Sequence, residues 1–332
     1  MKISFCIPTY NHARFLGAAL DSILRQAPDD FEIVIVDGAS TDDTPQVVAE
    51  YQRRSPHIVY HRCAENGGVD RDLALAVQLA RGEYCWLGSS DDVIADGAIA
   101  RIVAELSSGH ALYIGGRLEC TKDLVAFARN DVFGELPARS WDFSSEEQLL
   151  HYLNSANTLI ATFSYISVLI FRKEVWLRAG DNTDFLGSCY AHAHRLWRGL
   201  ANGGLVRFVR EPLVRCRMDT DHFASRGVFR RFMLDFEGYR RIADDVFPGR
   251  PRVREAFLGV VRREHGTLRL AKFYRACATA DERSSAQAIV TLLGYSGGQR
   301  FSMQVIAACG PLLDTAVAVR RGLRRRLGGL RY

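Results

Sequence analysis

Apolar residues in this chain fall into short runs separated by stretches of helical spacing. Residues 3–7 and 31–36 are runs of strand length rich in Ile and Val. Between them, residues 11–25 repeat apolar positions every three or four, the spacing of one helix face. The alternation continues with a helix over 41–53, where Thr41, Asp42 and Asp43 are placed to cap it, and a strand over 58–61. A helix over 70–81 closed by Gly82 and a strand over 84–87 follow. Strand and helix in turn build a mostly parallel sheet with helices on both faces, a Rossmann-like α/β fold. Past residue 110 the pattern loosens. Strands are expected over 111–118, 165–171 and 205–210, a loop over 134–145 and a helix over 146–154. Arginine-rich helical spacing then takes over at 229–246, 253–278 and 285–293, so the chain divides into an α/β domain over 1–225 and a helical region over 226–332.

In sheets of this kind ligands gather outside the carboxyl ends of the strands, near a switch in strand order. The loops to inspect are therefore 8–11, 37–40, 63–70 and 88–92, all rich in small or polar residues. Composition changes this picture little. Of 332 residues, 48% are apolar and 24% charged, the balance of a globular enzyme rather than a disordered or fibrous chain. Eight cysteines without a CxxC pair read as free thiols in a reducing compartment. The first apolar run stops at Pro8, short of a secretory signal, which points to the cytoplasm. The longest apolar stretch, 303–319, is broken by Gly310, Pro311 and Asp314, so no spanning helix is expected.

Charge adds one feature. Six arginines, Arg320, Arg321, Arg324, Arg325, Arg326 and Arg331, crowd the last 13 residues with no acid among them. Segment 312–330 reads either as a basic amphipathic helix lying on an anionic membrane surface at the inner face of the cell membrane, or as an arginine-faced surface helix or frayed end. It carries no recognisable nucleic-acid motif and no interleaved aromatics, so nucleic acid is not an expected partner. The first strand leads into Pro8-Thr9-Tyr10-Asn11 rather than a GxGxxG turn, which excludes a dinucleotide-dependent oxidoreductase.

The chemistry-bearing residues lie in the loops named above. Asp37, at the tip of the second strand, either accepts hydrogen bonds from a nucleobase or ribose or caps the next turn. Asp91 and Asp92 follow an apolar strand, where two adjacent carboxylates repel each other unless a cation stands beside them. A divalent cation, Mg²⁺ or Mn²⁺, held by one or two carboxylates and completed by phosphate oxygens, answers that need. The alternative is a solvated helix start that favours acids.

Four blocks in order, SFCIPTYN at 4–11, EIVIVDGASTDDT at 32–44, ENGG at 65–68 and ARGEYCWLGSSDD at 80–92, resemble the signature blocks of family 2 glycosyltransferases with the GT-A fold. More narrowly, VDGAST, NGGVDRDLA and SSDD resemble the branch similar to abequosyltransferases. The resemblance implies an inverting glycosyltransferase that moves a sugar, such as the dideoxyhexose abequose, from a nucleotide-sugar donor to a saccharide acceptor on a polyprenyl-linked O-antigen or other cell-surface intermediate. It implies that Pro8, Thr9, Tyr10 and Asp37 bind the nucleoside, that Arg71 lies against the donor, and that Asp91 and Asp92 hold the metal. Two departures stand out. Ser89 replaces an acid of the common pattern, leaving a contact to a hydroxyl or a water. The stretch 187–198, GSCYAHAHRLWR, lacks the Glu-Asp pair that supplies the base in similar enzymes. His192 is one candidate in its place, Asp181 and Asp184 are the others, and a sugar-nucleotide-binding protein with impaired catalysis is the competing reading.

Overall fold

In a computed structural model, residues 2–218 and 227–310 are described. The arginine-rich tail lies outside them. Among the described residues ten strands form one sheet: β1 (Ile3–Thr9), β2 (Phe31–Asp37), β3 (Ile58–Arg62), β4 (Tyr84–Leu87), β5 (Val93–Ile94), β6 (Leu112–Cys120), β7 (Ala126–Asn130), β8 (Arg139–Asp142), β9 (Leu169–Arg172) and β10 (Leu205–Arg217). Their order is β3-β2-β1-β4-β9-β6-β10-β5, with β7 added to β6 and β8 to β10. The half built by the strictly alternating residues is parallel, β3-β2-β1-β4. Beyond β4 the sheet is mixed: β9 runs antiparallel to both β4 and β6, while β10 runs parallel to β6. Every residue of β1 and β2 is buried, as both faces of a covered sheet require.

Twelve α-helices accompany the sheet among the described residues: α1 (Ala13–Leu24), α2 (Thr44–Arg54), α3 (Val69–Leu79), α4 (Ala98–Leu106), α5 (Glu146–Ser155), α6 (Lys173–Arg178), α7 (Ala191–Leu200), α8 (Val228–Val246), α9 (Pro251–Glu264), α10 (Thr267–Arg275), α11 (Ala280–Leu292) and α12 (Gly297–Ala308). The chain leaves β1 for β2 on one side and returns to place β4 on the other. The switch in strand order therefore lies between β1 and β4, the place where sheets of this kind receive ligands.

The apolar core runs without a break from the sheet into the C-terminal helices. Trp197 of α7 is its hub, stacked on Phe163 at 4.6 Å and edge-on to Phe257 of α9 at 5.3 Å and Phe247 at 5.7 Å. Such aromatic pairs add about 0.5–1.5 kcal/mol each beyond area burial.

Several expected elements change shape. The single helix expected over 253–278 is two, α9 and α10, because His265 and Gly266 leave helical geometry and the His265 carbonyl instead accepts the Tyr295 hydroxyl at 3.0 Å. The apolar run 165–171 begins with a 3₁₀ turn at Ile166–Val168 before β9. The loop expected over 134–145 contains β8. The helix expected from Thr41 starts at Thr44, and Asp42 serves two helices, taking the Thr44 amide at 3.0 Å and the Ala13 amide of α1 at 3.0 Å.

Candidate active site

The ends of β2, β1 and β4 lie side by side, and side chains stitch their loops together. Asn11, in the left-handed region at φ 54°, accepts the Thr41 amide at 2.7 Å, and its own amide donates to the Ser40 hydroxyl at 2.9 Å. His12 Nδ1 meets the Ser90 hydroxyl at 2.6 Å, joining the β1 loop to the β4 loop. Pro8, Thr9 and Tyr10, Asp37, and Ser89 to Asp92 are thereby brought to one rim.

Within that rim Pro8 pairs with Val36 in the sheet, Tyr10 is exposed, and the hydroxyl of buried Thr9 finds no partner among the described residues. A buried hydroxyl costs free energy unless something satisfies it. Asp37 is fully buried; one carboxylate oxygen accepts the Ser40 amide at 2.7 Å and the other the Tyr60 hydroxyl at 2.6 Å. Next to it lies Asp72, whose carboxylate is so close that a Cβ on Gly38 would stand 2.5 Å from its Oδ2. Burial pushes Asp72 up to about 6 against the pull of the Cys63 thiol, with the Asp37 charge adding to the rise. Arg71, one residue before, is exposed and its stem runs along Gly67.

The fold divides the acid pair that was expected to share a cation. Asp91 is half-buried and takes the Ser89 hydroxyl on Oδ1, while its carbonyl accepts Arg217 Nη1. Asp92 is buried, and a single oxygen, Oδ2, takes both the Ser167 hydroxyl at 2.5 Å and the Tyr165 hydroxyl at 2.6 Å. Burial and the neighbouring Asp91 charge push Asp92 up to about 6. Each acid thus keeps one carboxylate oxygen, Asp91 Oδ2 and Asp92 Oδ1, without a hydrogen-bond partner among the described residues. One carboxylate with phosphate oxygens and water suits Mg²⁺ or Mn²⁺. Among the described residues no group of three or more His, Cys, Asp and Glu side chains forms a ready-made cage.

The three base candidates lie on the approach to α7 and in it. His192 is buried, its Nε2–H donates to the Phe163 carbonyl at 2.9 Å, and burial pushes its pKa down to about 4. Its Nε2 is engaged and its side chain enclosed, surroundings less open to an acceptor than those of the two acids. Asp181 is exposed and tied to Thr183 by the amide at 3.1 Å and the hydroxyl at 3.2 Å. Asp184 is exposed, and its carboxylate has no partner among the described residues. A carboxylate of α3 also holds this segment. Asp70, at the start of α3, accepts the Cys189 amide at 2.9 Å, where Cys189 holds φ 63°.

Sequence reasoning missed Asp70, Tyr165, Ser167 and Arg217. Arg217 lies beyond the expected end of the 205–210 strand, because Pro212 interrupts the run; the strand crosses it at a register shift between Val209 and Val214. The apolar-basic alternation of 213–217 was the available signal.

The mixed sheet, with these loops gathered at its switch point, is a GT-A-type fold. Residues 4–174 match Glycosyl transferase family 2, and the chain belongs to that family. It is 33% identical to the abequosyltransferase RfbV of Salmonella typhimurium over 306 residues, covering 89% of this chain and 90% of that protein. In fold it is similar to Staphylococcus aureus TarS, solved in complex with UDP-GlcNAc, at TM-score 0.65 and 16% identity over 88% of this chain and 82% of that one. It is also similar to the mannosyltransferase PcManGT of Pyrobaculum calidifontis, solved with GDP-Man and Mn²⁺, at TM-score 0.51 and 19% identity, covering 94% and 87% of the two chains. The protein is a glycosyltransferase.

Proposed function

We propose that this enzyme transfers a dideoxyhexose such as abequose from a nucleoside diphosphate donor to a saccharide on a polyprenyl-linked O-antigen intermediate. The observation that carries the donor site is the convergence of the unsatisfied Thr9 hydroxyl, Asp37 and Asp91 at the ends of three adjacent strands. The likeness to an abequosyltransferase over nine-tenths of both chains supports the choice of sugar and acceptor.

In this reading Pro8, Thr9, Tyr10 and Asp37 receive the nucleoside, and Arg71 stands on the exposed side of the donor. Asp91 holds a divalent cation, with Ser89 orienting its carboxylate and Asp92 fixing the loop from behind. Such a cation offsets the charge that develops on the departing nucleoside diphosphate. Asp184, the base candidate with an uncommitted carboxylate, takes the proton of the acceptor hydroxyl. That oxygen forms the new bond to the anomeric carbon as the bond to the diphosphate breaks, with inversion.

A thermal-shift panel of nucleotide sugars with Mn²⁺ identifies the donor, and NMR of the transfer product gives its anomeric configuration. Inversion, with transfer lost in Asp184→Asn, is the expected result. A retained configuration overturns the displacement scheme. Donor binding without transfer to any acceptor supports the sugar-nucleotide-binding alternative.

A further inference from the structure

Beyond the acid pair, the mixed half of the sheet carries a cluster of polar side chains to which no role has been given. Arg117 and Glu119 stand two apart on β6 and so share one face of the strand. Asn130 of β7 is paired directly with Arg117 and joins that face. The two strands approach closely here, since a Cβ on Gly116 would stand 2.8 Å from the Asn130 carbonyl oxygen. Tyr165 connects the cluster to the acid pair: Arg117 Cζ lies 4.2 Å from its ring centroid, and its hydroxyl donates to Asp92 at 2.6 Å.

Hydrogen bonding within the cluster is incomplete. Arg117 Nη2 lies 3.6 Å from Glu119 Oε1, an ion pair too long to be a hydrogen bond. Arg117 Nε and Asn130 Oδ1 are buried, and neither has a partner among the described residues. The unmatched set is mixed in character, because the guanidinium only donates while the carboxylate and the carboxamide oxygen only accept. A phosphate, which only accepts, would gain Arg117 but meet the Glu119 charge and the Asn130 oxygen unfavourably. Adjacent sugar hydroxyls, each both donor and acceptor, match all three groups. The dideoxyhexose of the donor has lost two hydroxyls and offers less to this set than an ordinary hexose does.

We infer that Arg117, Glu119 and Asn130 form a subsite that binds the acceptor saccharide through adjacent hydroxyls, next to the acids of the donor site. This deepens the reading of a saccharide acceptor and rests on it. Glu119 and Asn130 take the hydroxyl protons, Arg117 donates to the hydroxyl oxygens, and Tyr165 holds the guanidinium in place from below.

Saturation-transfer NMR of the full-length protein with the methyl pyranosides of glucose, galactose, mannose and rhamnose tests the subsite. At least one is expected to bind, with the strongest saturation at the protons beside two adjacent hydroxyls. Arg117→Lys, which keeps the charge but loses the planar fork, and Asn130→Ala should each weaken that binding about tenfold. The thermal shift given by nucleotide sugar with Mn²⁺ should persist in both. Because β7 pairs only with β6 among the described residues, Asn130→Ala carries the test should Arg117→Lys fail to fold. No binding of any of the four, equal binding by variants and wild type, or displacement of the bound glycoside by pyrophosphate would each overturn the subsite. In transfer assays the same substitutions should raise the acceptor KM about tenfold at an unchanged donor KM. An unchanged acceptor KM overturns the subsite and leaves the sugar-transfer reading standing. Glycoside binding that depends on Arg117 and Asn130, with no transfer from any nucleotide sugar, counts against that reading and leaves the subsite in place.

Discussion

Asp91 and Asp92 are adjacent, yet their surroundings assign them different energetic roles. Asp92→Ala leaves the buried Tyr165 and Ser167 hydroxyls without an acceptor, and should lower stability by about 2–3 kcal/mol, read from denaturant midpoints. Asp91→Asn should change stability by less than about 0.5 kcal/mol, as at half-exposed sites generally, and reduce metal-stimulated transfer by about 100-fold. Full transfer by Asp91→Asn would remove Asp91 from the cation site. Two other residues set opposing pH dependences. Asp72 is raised to about 6, so the fold binds its proton more tightly than the unfolded chain and stability from this group falls as pH rises from about 4 to 6. Solvent screening at the cleft limits that to about 1–2 kcal/mol. His192 is lowered to about 4, so its contribution runs the other way, present above about 6.5 and lost as pH falls through about 4. The two offset each other, and Asp72→Asn should expose the histidine: its midpoint denaturant concentration should fall more steeply than that of wild type between about pH 6.5 and 4. The sequence displayed the acid pair and the histidine. It did not show which acid is buried or that His192 is enclosed, because those outcomes depend on Tyr165, Ser167 and Phe163, far along the chain.

At the scale of elements, the loop before α7 is held from two sides. Asp70 of α3 takes its Cys189 amide, and Tyr190 donates its hydroxyl to Asp235 of α8, which also pairs with Arg231 and lies 3.3 Å from His265. Arg231, His265 and the Tyr190 hydroxyl together keep the buried Asp235 carboxyl below its usual range despite its burial. Asp235→Ala should therefore cost about 2–3 kcal/mol, because it removes the buried acceptor that Tyr190 and Arg231 share. Tyr190→Phe should cost about 1 kcal/mol, one hydrogen bond. A double-mutant cycle that finds no coupling between these two positions would show that the loop does not depend on α8. The parallel half of the sheet was legible because each strand and helix there shows its own period and is closed by Gly82 or a capping acid. The antiparallel half was not. β5 has two residues, β7 is only partly buried and lacks a clean alternation, and the 166–168 turn is fixed by Asp92 rather than by its own apolar run.

For the whole molecule, the decisive feature is that the core does not stop where the composition changes. The arginine-rich spacing after residue 228 suggests a separate helical region, but Phe247 and Phe257 pack on Trp197, and α9 packs on α5. A chain whose C-terminal helices complete the core of its catalytic half should unfold as one unit. Calorimetry of the full-length protein is expected to give a single transition with matching calorimetric and van't Hoff enthalpies; two resolved transitions would establish 226–332 as an independent domain. On the proposed reading donor and cation bind only the folded form, so a nucleotide sugar at about 100 times its Kd should add about 2.7 kcal/mol. For a chain this long that corresponds to an upward shift of about 4 °C, within one peak. Because Asp91 belongs to the same cooperative unit, Asp91→Asn should keep the ligand-free transition where it is and lose the additional shift that Mn²⁺ gives in the presence of donor. If the shift survives in that variant, the cation is held elsewhere in the cleft.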